Sequence, residues 1–441
     1  MRWEEVFFPG IGLFGESFVI FGFGLSKTIL QSQLSDEIFD LISHQSTMAI
    51  PIGLISGMIV FALASRSTLS SQRFTLSSSS LFSKRLRYLS WATACLMFTC
   101  VLFIAMLPTP RQSMAVHQLT GALFIFSIGV GGEYPISSSI AAFVPLHAKS
   151  TSAMSLSPSS RVAWMFTMQA VGVYFNSLVI SVEYLFRGDN LSWRGNFTVG
   201  ALLLLIVLQL RIFRYLGEFE EESKRERTAA NKLINDAPVT PPPSKTTPIT
   251  AATFRPSLTR PSNLILTFGT SVSWFLWDII FYSTKLHQDA FLATLADTLG
   301  SQLFLGHTVA LVAMGGAFTG AWLVGRNGVG VKKLQVYGSA VVGFSFLCLS
   351  RFELGSGSPA SKITFIVVSC LGQFVNVSTF VISAVSFDEE NRTLSHGISA
   401  SAGKLGALLG VYLMGVLTVR QGYAMNCVAS FLITLTTFKL L

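Results

Sequence analysis

The chain has 441 residues, of which 51% are apolar and only 12% charged, and its mean hydropathy is positive. A water-soluble fold carries roughly a quarter of its residues as charges, so a soluble protein is excluded and lipid must solvate much of the surface. The formal net charge of +9 collects in alternate loops, which signals membrane topology and argues against a nucleic-acid partner.

A helix crossing a bilayer needs about 20 apolar residues, and the chain supplies roughly twelve such runs. In the first half they fall near 7–30, 46–65, 87–108, 118–146, 161–186 and 196–215. The first run contains Glu16 and lacks the basic start of a signal peptide, so it reads as a retained helix. Asp36, Glu37 and Asp40 fill the loop that follows. The loop after the second run instead holds Arg66, Arg73, Lys84, Arg85 and Arg87 with no acid. The fourth run carries Gly121, Gly129, Gly131 and Gly132, then Glu133, Tyr134 and Pro135. Small residues at such spacing let membrane helices approach closely, and a proline inside a span frees a carbonyl.

The stretch 216–262 opens on an acidic and basic run, Glu218 to Arg227, and becomes proline-rich around Pro238, Pro241, Pro242, Pro243 and Pro248. Such a segment cannot bury a core and reads as a flexible linker, with a short surface helix at its start. It belongs to a basic central loop that runs from Arg211 and Arg214 to Arg260. The second half repeats the pattern, with runs near 263–285, 303–325, 334–352, 361–387, 396–418 and 423–440. A third basic loop holds Arg326, Lys332 and Lys333. Excess positive charge marks cytoplasmic loops, so both termini and the linker are expected in the cytoplasm, with the plasma membrane as the default location.

The expected fold is an all-α membrane protein of twelve transmembrane helices in two six-helix bundles, spanning 1–215 and 263–441. Two bundles about a linker suit alternating access, one half rocking against the other around a midplane site. The five cysteines lie within apolar runs and are odd in number, so they read as small buried side chains, not as a disulfide framework or metal site. No cofactor is implied.

Four ionisable groups sit deep within the runs: Glu16, Glu133, Asp278 and Lys404. Each costs at least about 2.5–3.5 kcal/mol there unless it faces a cavity or a partner. In the seventh run Trp274, Asp278 and Tyr282 recur every four residues and so share one helix face. An indole N–H, a carboxylate and a phenol on one stripe form a set able to grip a small polar solute. Glu133 and Tyr134 are adjacent, so they project about 100° apart and can serve different faces.

Three blocks carry a resemblance. Gly129 to Ser137 is similar to G-x-G-G-D-Y-P-L-S with Glu133 in place of Asp, Trp274 to Ser283 matches W-F-L-x-D-x-x-F-Y-S, and His396 to Ala407 matches H-G-I-S-A-x-x-G-K-x-G-A. Together they make the chain resemble the phosphate:proton symporter branch of the major facilitator superfamily. The resemblance implies that Tyr134, Gln169, Trp274, Asp278, Tyr282 and Asn376 line a phosphate site, with Lys404 adding positive charge. It assigns Glu16 and Glu133 to proton transfer. Three departures stand out. Leu123 falls where the family has an arginine ten residues before the fourth-span acid, Val375 stands where it has proline, and the loops after the second and eighth runs have lost most of their motif.

Dihydrogen phosphate both donates and accepts. The lysine, indole, phenols and amides can donate to its oxygens while Asp278 accepts from a P–OH. Sulfate offers no such proton, and a site built for a hydrogen bond rejects an analogue lacking it. Desolvated carboxyls favour their neutral form, which makes the two glutamates proton carriers. The competing readings are another small solute, an organic anion or a sugar, and a nutrient sensor signalling through the Ser-rich segment from Ser67 to Ser83 and the linker. An enzyme is not expected, since His117 and His396 lie isolated near span ends and no nucleophile has a partnered base.

Overall fold

The computed structural model describes residues 4–66, 76–109, 112–142, 156–188, 192–235, 261–326, 329–351, 358–387 and 389–441. These form α1 (Glu4–Gln33), α2 (Asp36–Arg66), α3 (Leu76–Met106), α4 (Ser113–Ala142), α5 (Pro158–Arg187) and α6 (Trp193–Asn235) in the first half. The second half is α7 (Pro261–Leu286), α8 (Gln288–Leu295), α9 (Leu299–Val324), α10 (Gly330–Arg351), α11 (Pro359–Val385), α12 (Glu389–Val416) and α13 (Val419–Leu440). Among the described residues twelve helices, all but α8, are long and apolar enough to cross a membrane. The protein is an integral, multi-pass membrane protein, and the twelve expected spans coincide with these helices.

Two local readings change. Asp36, Glu37 and Asp40 are not loop residues. They open α2, where carboxylates favour the positive end of the helix dipole. The run from Glu218 to Arg227 is not a separate surface helix but the continuation of α6, which extends for 43 residues to Asn235. The proline-rich remainder of the linker, and residues 67–75 of the Ser-rich segment, lie outside the described residues. The short α8 has too few residues to register as a span. It lies across the end opposite the linker, and Phe291 packs its ring on Phe365 and Tyr423.

The two halves pack by one scheme. In the first, α1 lies on α5 and α6, α2 on α4, and α3 on α4 and α6. In the second, α7 lies on α12 and α13, α9 on α11, and α10 on α11 and α13. Between halves, α2 meets α12 and α5 meets α9, again a matched pair. Glycine sets the tightest approach within the second half. A Cβ at Gly410 would sit 2.5 Å from the Ile279 carbonyl, and one at Gly406 would run into that of Phe275. Their absence lets α12 seat directly on α7, which carries the polar stripe.

The halves are joined by polar contacts at both ends. At the linker end the hydroxyls of Ser139 on α4 and Thr393 on α12 are 2.7 Å apart in a hydrogen bond. At the opposite end Lys27 of α1 pairs with Asp289 of α8 at 3.2 Å and donates to Ser43 at 3.4 Å.

Candidate transport site

Between these contacts α4, α5, α7, α11 and α12 surround a small central cavity. Tyr134, Gln169, Trp274, Asp278, Tyr282, Asn376 and Lys404 all line it, joined by Phe166, Phe281 and Phe380. Lys404 donates to Asp278 Oδ2 at 2.7 Å, with both side chains almost fully buried. The glycines of α12 make this pairing possible, because they bring the Lys404 backbone within reach of a neighbouring helix. The ammonium lies 4.4 Å from the Tyr282 ring centroid, 5.0 Å from that of Tyr134 and 5.9 Å from that of Trp274. Three aromatic faces so placed stabilise a buried cation. Tyr282 Oη has no hydrogen-bond partner.

An amide chain crosses the cavity from one half to the other. Gln169 Nε2 donates to Tyr134 Oη at 2.9 Å, and Asn376 Nδ2 donates to Gln169 Oε1 at 3.1 Å. Trp277, which the sequence did not single out, donates its indole N–H to Asn376 Oδ1 at 2.8 Å. Phe380 closes one wall, stacked on Phe166 at 4.1 Å and edge-on to Trp274 at 5.8 Å. His396 is not isolated: it is fully buried, 5.3 Å from Trp274 and 5.0 Å from Phe380 between ring centroids. Its Nδ1 shares a hydrogen bond with Ser383, and its Nε2 has no partner.

Glu133 does not line the cavity. It turns toward α3 and α6, where Arg211 donates NH1 to Oε1 and NH2 to Oε2, each at 2.7 Å. Thr93 and Ser137 donate to the same carboxylate, and Arg211 also reaches the Ser90 carbonyl at 2.5 Å. Arg211 had been counted among the charges of the central loop, and it is instead turned into the bundle with its side chain 8% exposed. A Cβ on Gly12 would collide with both partners, so that glycine makes room for the pair. Leu123 is buried in apolar packing, ten residues and so about 15 Å from Glu133 along α4. The guanidinium that Glu133 meets comes from Arg211 of α6.

Glu16 is buried on α1 within the electrostatic reach of Glu133, Lys404 and Arg211. Its Oε2 has no hydrogen-bond partner. The two acids are thus in different states, Glu133 clamped by a fork of donors and Glu16 without a counter-ion bonded to it. Lys27, Lys285 and Arg161 are further buried cations that the sequence reading, with its four intramembrane charges, did not count.

Two six-helix halves with matched packing have the fold of solved major facilitator proteins. The chain superposes on the proton:xylose symporter XylE bound to a bromodeoxyglucose with a TM-score of 0.64, at 15% identity, over 100% of this chain and 96% of that one. A partially occluded, inward-open form of the Escherichia coli protein matches with a TM-score of 0.65 at 14% identity. In sequence, the chain is 25% identical over 364 residues to inorganic phosphate transporter 1-11 of Oryza sativa subsp. japonica, covering 73% of this chain and 63% of the relative. It is 25% identical over 350 residues to low affinity inorganic phosphate transporter 1 of Petunia hybrida, covering 69% and 63%. The resemblance drawn from the three motif blocks is borne out by these relatives, of whose length the chain spans somewhat under two thirds. No protein-family model matches the chain.

Proposed function

We propose that the chain is a proton-coupled carrier of inorganic phosphate that works by alternating access. The observation that carries this reading is the Asp278–Lys404 pair lining an aromatic-walled cavity between the halves. An acceptor and a donor side by side are complementary to an anion that still holds a proton. Dihydrogen phosphate can take Lys404 on one oxygen and give a P–OH to Asp278, while Tyr134, Gln169, Trp274, Tyr282 and Asn376 meet its remaining oxygens. The names of the sequence relatives support the solute. Those of the structural neighbours support a proton as the coupled ion.

Glu16 is the proton carrier in this scheme, since a buried carboxyl without a counter-ion bonded to it is the one that gains most from protonation. Glu133 enters only by exchanging its bond to Arg211, so its share in coupling is to position α4 and α6 about the site. Closure at the linker end by Ser139 and Thr393, and at the other by Lys27 and Asp289, gives each half a contact to break in turn. The protein is a carrier, not an enzyme, placed in the plasma membrane with both termini and the linker in the cytoplasm.

A second reading has one observation in its favour. The amide chain through Gln169 and Asn376, with its aromatic walls, would also suit a neutral polyol, which leaves the ion pair intact. Competition separates the two. Under the phosphate reading arsenate displaces labelled phosphate from purified protein whereas sulfate and xylose do not. Displacement by xylose with indifference to arsenate would establish the polyol instead.

A further inference from the structure

Next to the stripe of Trp274, Asp278 and Tyr282, α7 carries a second stripe at the same four-residue spacing: Trp277, Phe281 and Lys285. It faces a separate cavity inside the second half, walled also by α9, α10 and α11. Lys285 is 8% exposed, and among the described residues its Nζ has neither a hydrogen bond nor an ion pair. The nearby Asp289 is engaged by Lys27, and no carboxylate lines the cavity.

Two buried amides stand beside this cation. Gln288 and Gln373 both line the cavity. Gln373 Oε1 accepts from Asn376 at 3.2 Å, which leaves its N–H groups to point elsewhere. The rest of the wall is mostly hydrocarbon, from Val309, Val342, Phe346 and Phe365, and the hydroxyls of Thr284 and Ser369 that also line it already donate to backbone carbonyls. A buried ammonium with no carboxylate to neutralise it is costly, and a cation flanked by amide N–H groups calls for an anion. An inorganic oxyanion fits poorly, because its far oxygens would face hydrocarbon and find no donor. An anion with an apolar body fits both ends.

We propose that this cavity is a second ligand site, distinct from the central one, for a small organic anion whose charged head meets Lys285, Gln288 and Gln373 and whose apolar or aromatic body packs on Phe346 and Phe365. The assignment does not depend on which solute the central cavity carries. Phe281 belongs to both cavities, and Gln373 is bonded to the amide chain of the central one, so the two sites share a wall.

The test is calorimetric titration of the full chain in lipid nanodiscs with phenylphosphonate. Wild type binds it saturably, and Lys285→Met weakens binding by about tenfold or more, the worth of a charge-assisted bond. Val342→Phe, which fills the apolar end without touching the charge, weakens it as well. Asp278→Asn leaves it within about twofold, and inorganic phosphate does not compete. Monodisperse elution and unchanged helical content show that each variant is folded. Absence of saturable binding to wild type overturns the proposal. So does loss of binding in Asp278→Asn with retention in Lys285→Met, or competition by phosphate, since either places the probe in the central cavity.

Discussion

Arg211 of α6 holds both carboxylate oxygens of Glu133 on α4 at 2.7 Å, in a forked pair closed off from water. Such geometry is the strongest an arginine offers a carboxylate. It changes how the polar residues of the first half divide: Glu133 is a fixed point between helices, whereas Glu16 Oε2 has no hydrogen-bond partner.

Removing one side of that pair leaves the other buried and uncompensated. Arg211→Met should therefore destabilise the protein by about 3–5 kcal/mol, read as a lowered unfolding temperature in detergent. Adding Glu133→Gln to the same chain should recover much of the loss, because the stranded charge is gone. Equal loss in the single and double variants would show that the two residues are not coupled. Gly12→Leu should mimic the single variant by forcing the pair apart.

Glu16→Gln should separate coupling from binding. Uptake driven by a proton gradient should fall to background, while exchange of labelled for unlabelled phosphate across proteoliposomes continues. Loss of both activities would assign Glu16 to binding rather than to coupling.

The hydroxyls of Ser139 and Thr393 are 2.7 Å apart, so cysteines at both positions should approach within disulfide range. Oxidation of the Ser139→Cys, Thr393→Cys protein should stop transport, and reductant should restore it. Continued transport with the crosslink formed would exclude separation at the linker end.

His287 lies beyond the end of α7 and donates from Nε2 to the Val411 carbonyl at 3.2 Å. Burial, assisted by the nearby charge of Lys27, pushes its imidazole down to about 4. The unfolded chain takes up a proton near pH 6.5 that the folded chain refuses until about pH 4. Stability should therefore fall as pH drops through that window. His287→Gln should flatten the unfolding temperature against pH between those limits, and an unchanged slope would exclude the imidazole as the cause.

Much of this was readable beforehand, for physical reasons. Twelve apolar runs of sufficient length leave lipid as the only solvent, and the four-residue spacing of Trp274, Asp278 and Tyr282 already put one indole, one acid and one phenol on a common face. What escaped lies in pairings between distant segments. Arg211 sits at the end of a span beside Arg214 and other basic residues, so it looked like a loop charge, and no local pattern ties it to an acid 78 positions earlier. Trp277 and Lys285 were hidden in the same way, as an aromatic within an aromatic-rich helix and a lysine at a helix end. His396 seemed peripheral because its helix starts earlier than its apolar run, at Glu389. The eight residues of α8 are too few for a periodic signal.

The central claim is tested most directly by uptake of radiolabelled phosphate into proteoliposomes with an imposed pH gradient. The account predicts accumulation above equilibrium when the outside is acidic, collapse of that accumulation when an ionophore dissipates the gradient, and none at any pH with Asp278→Asn. Equal accumulation with the gradient dissipated, or wild-type uptake by Asp278→Asn, would contradict it.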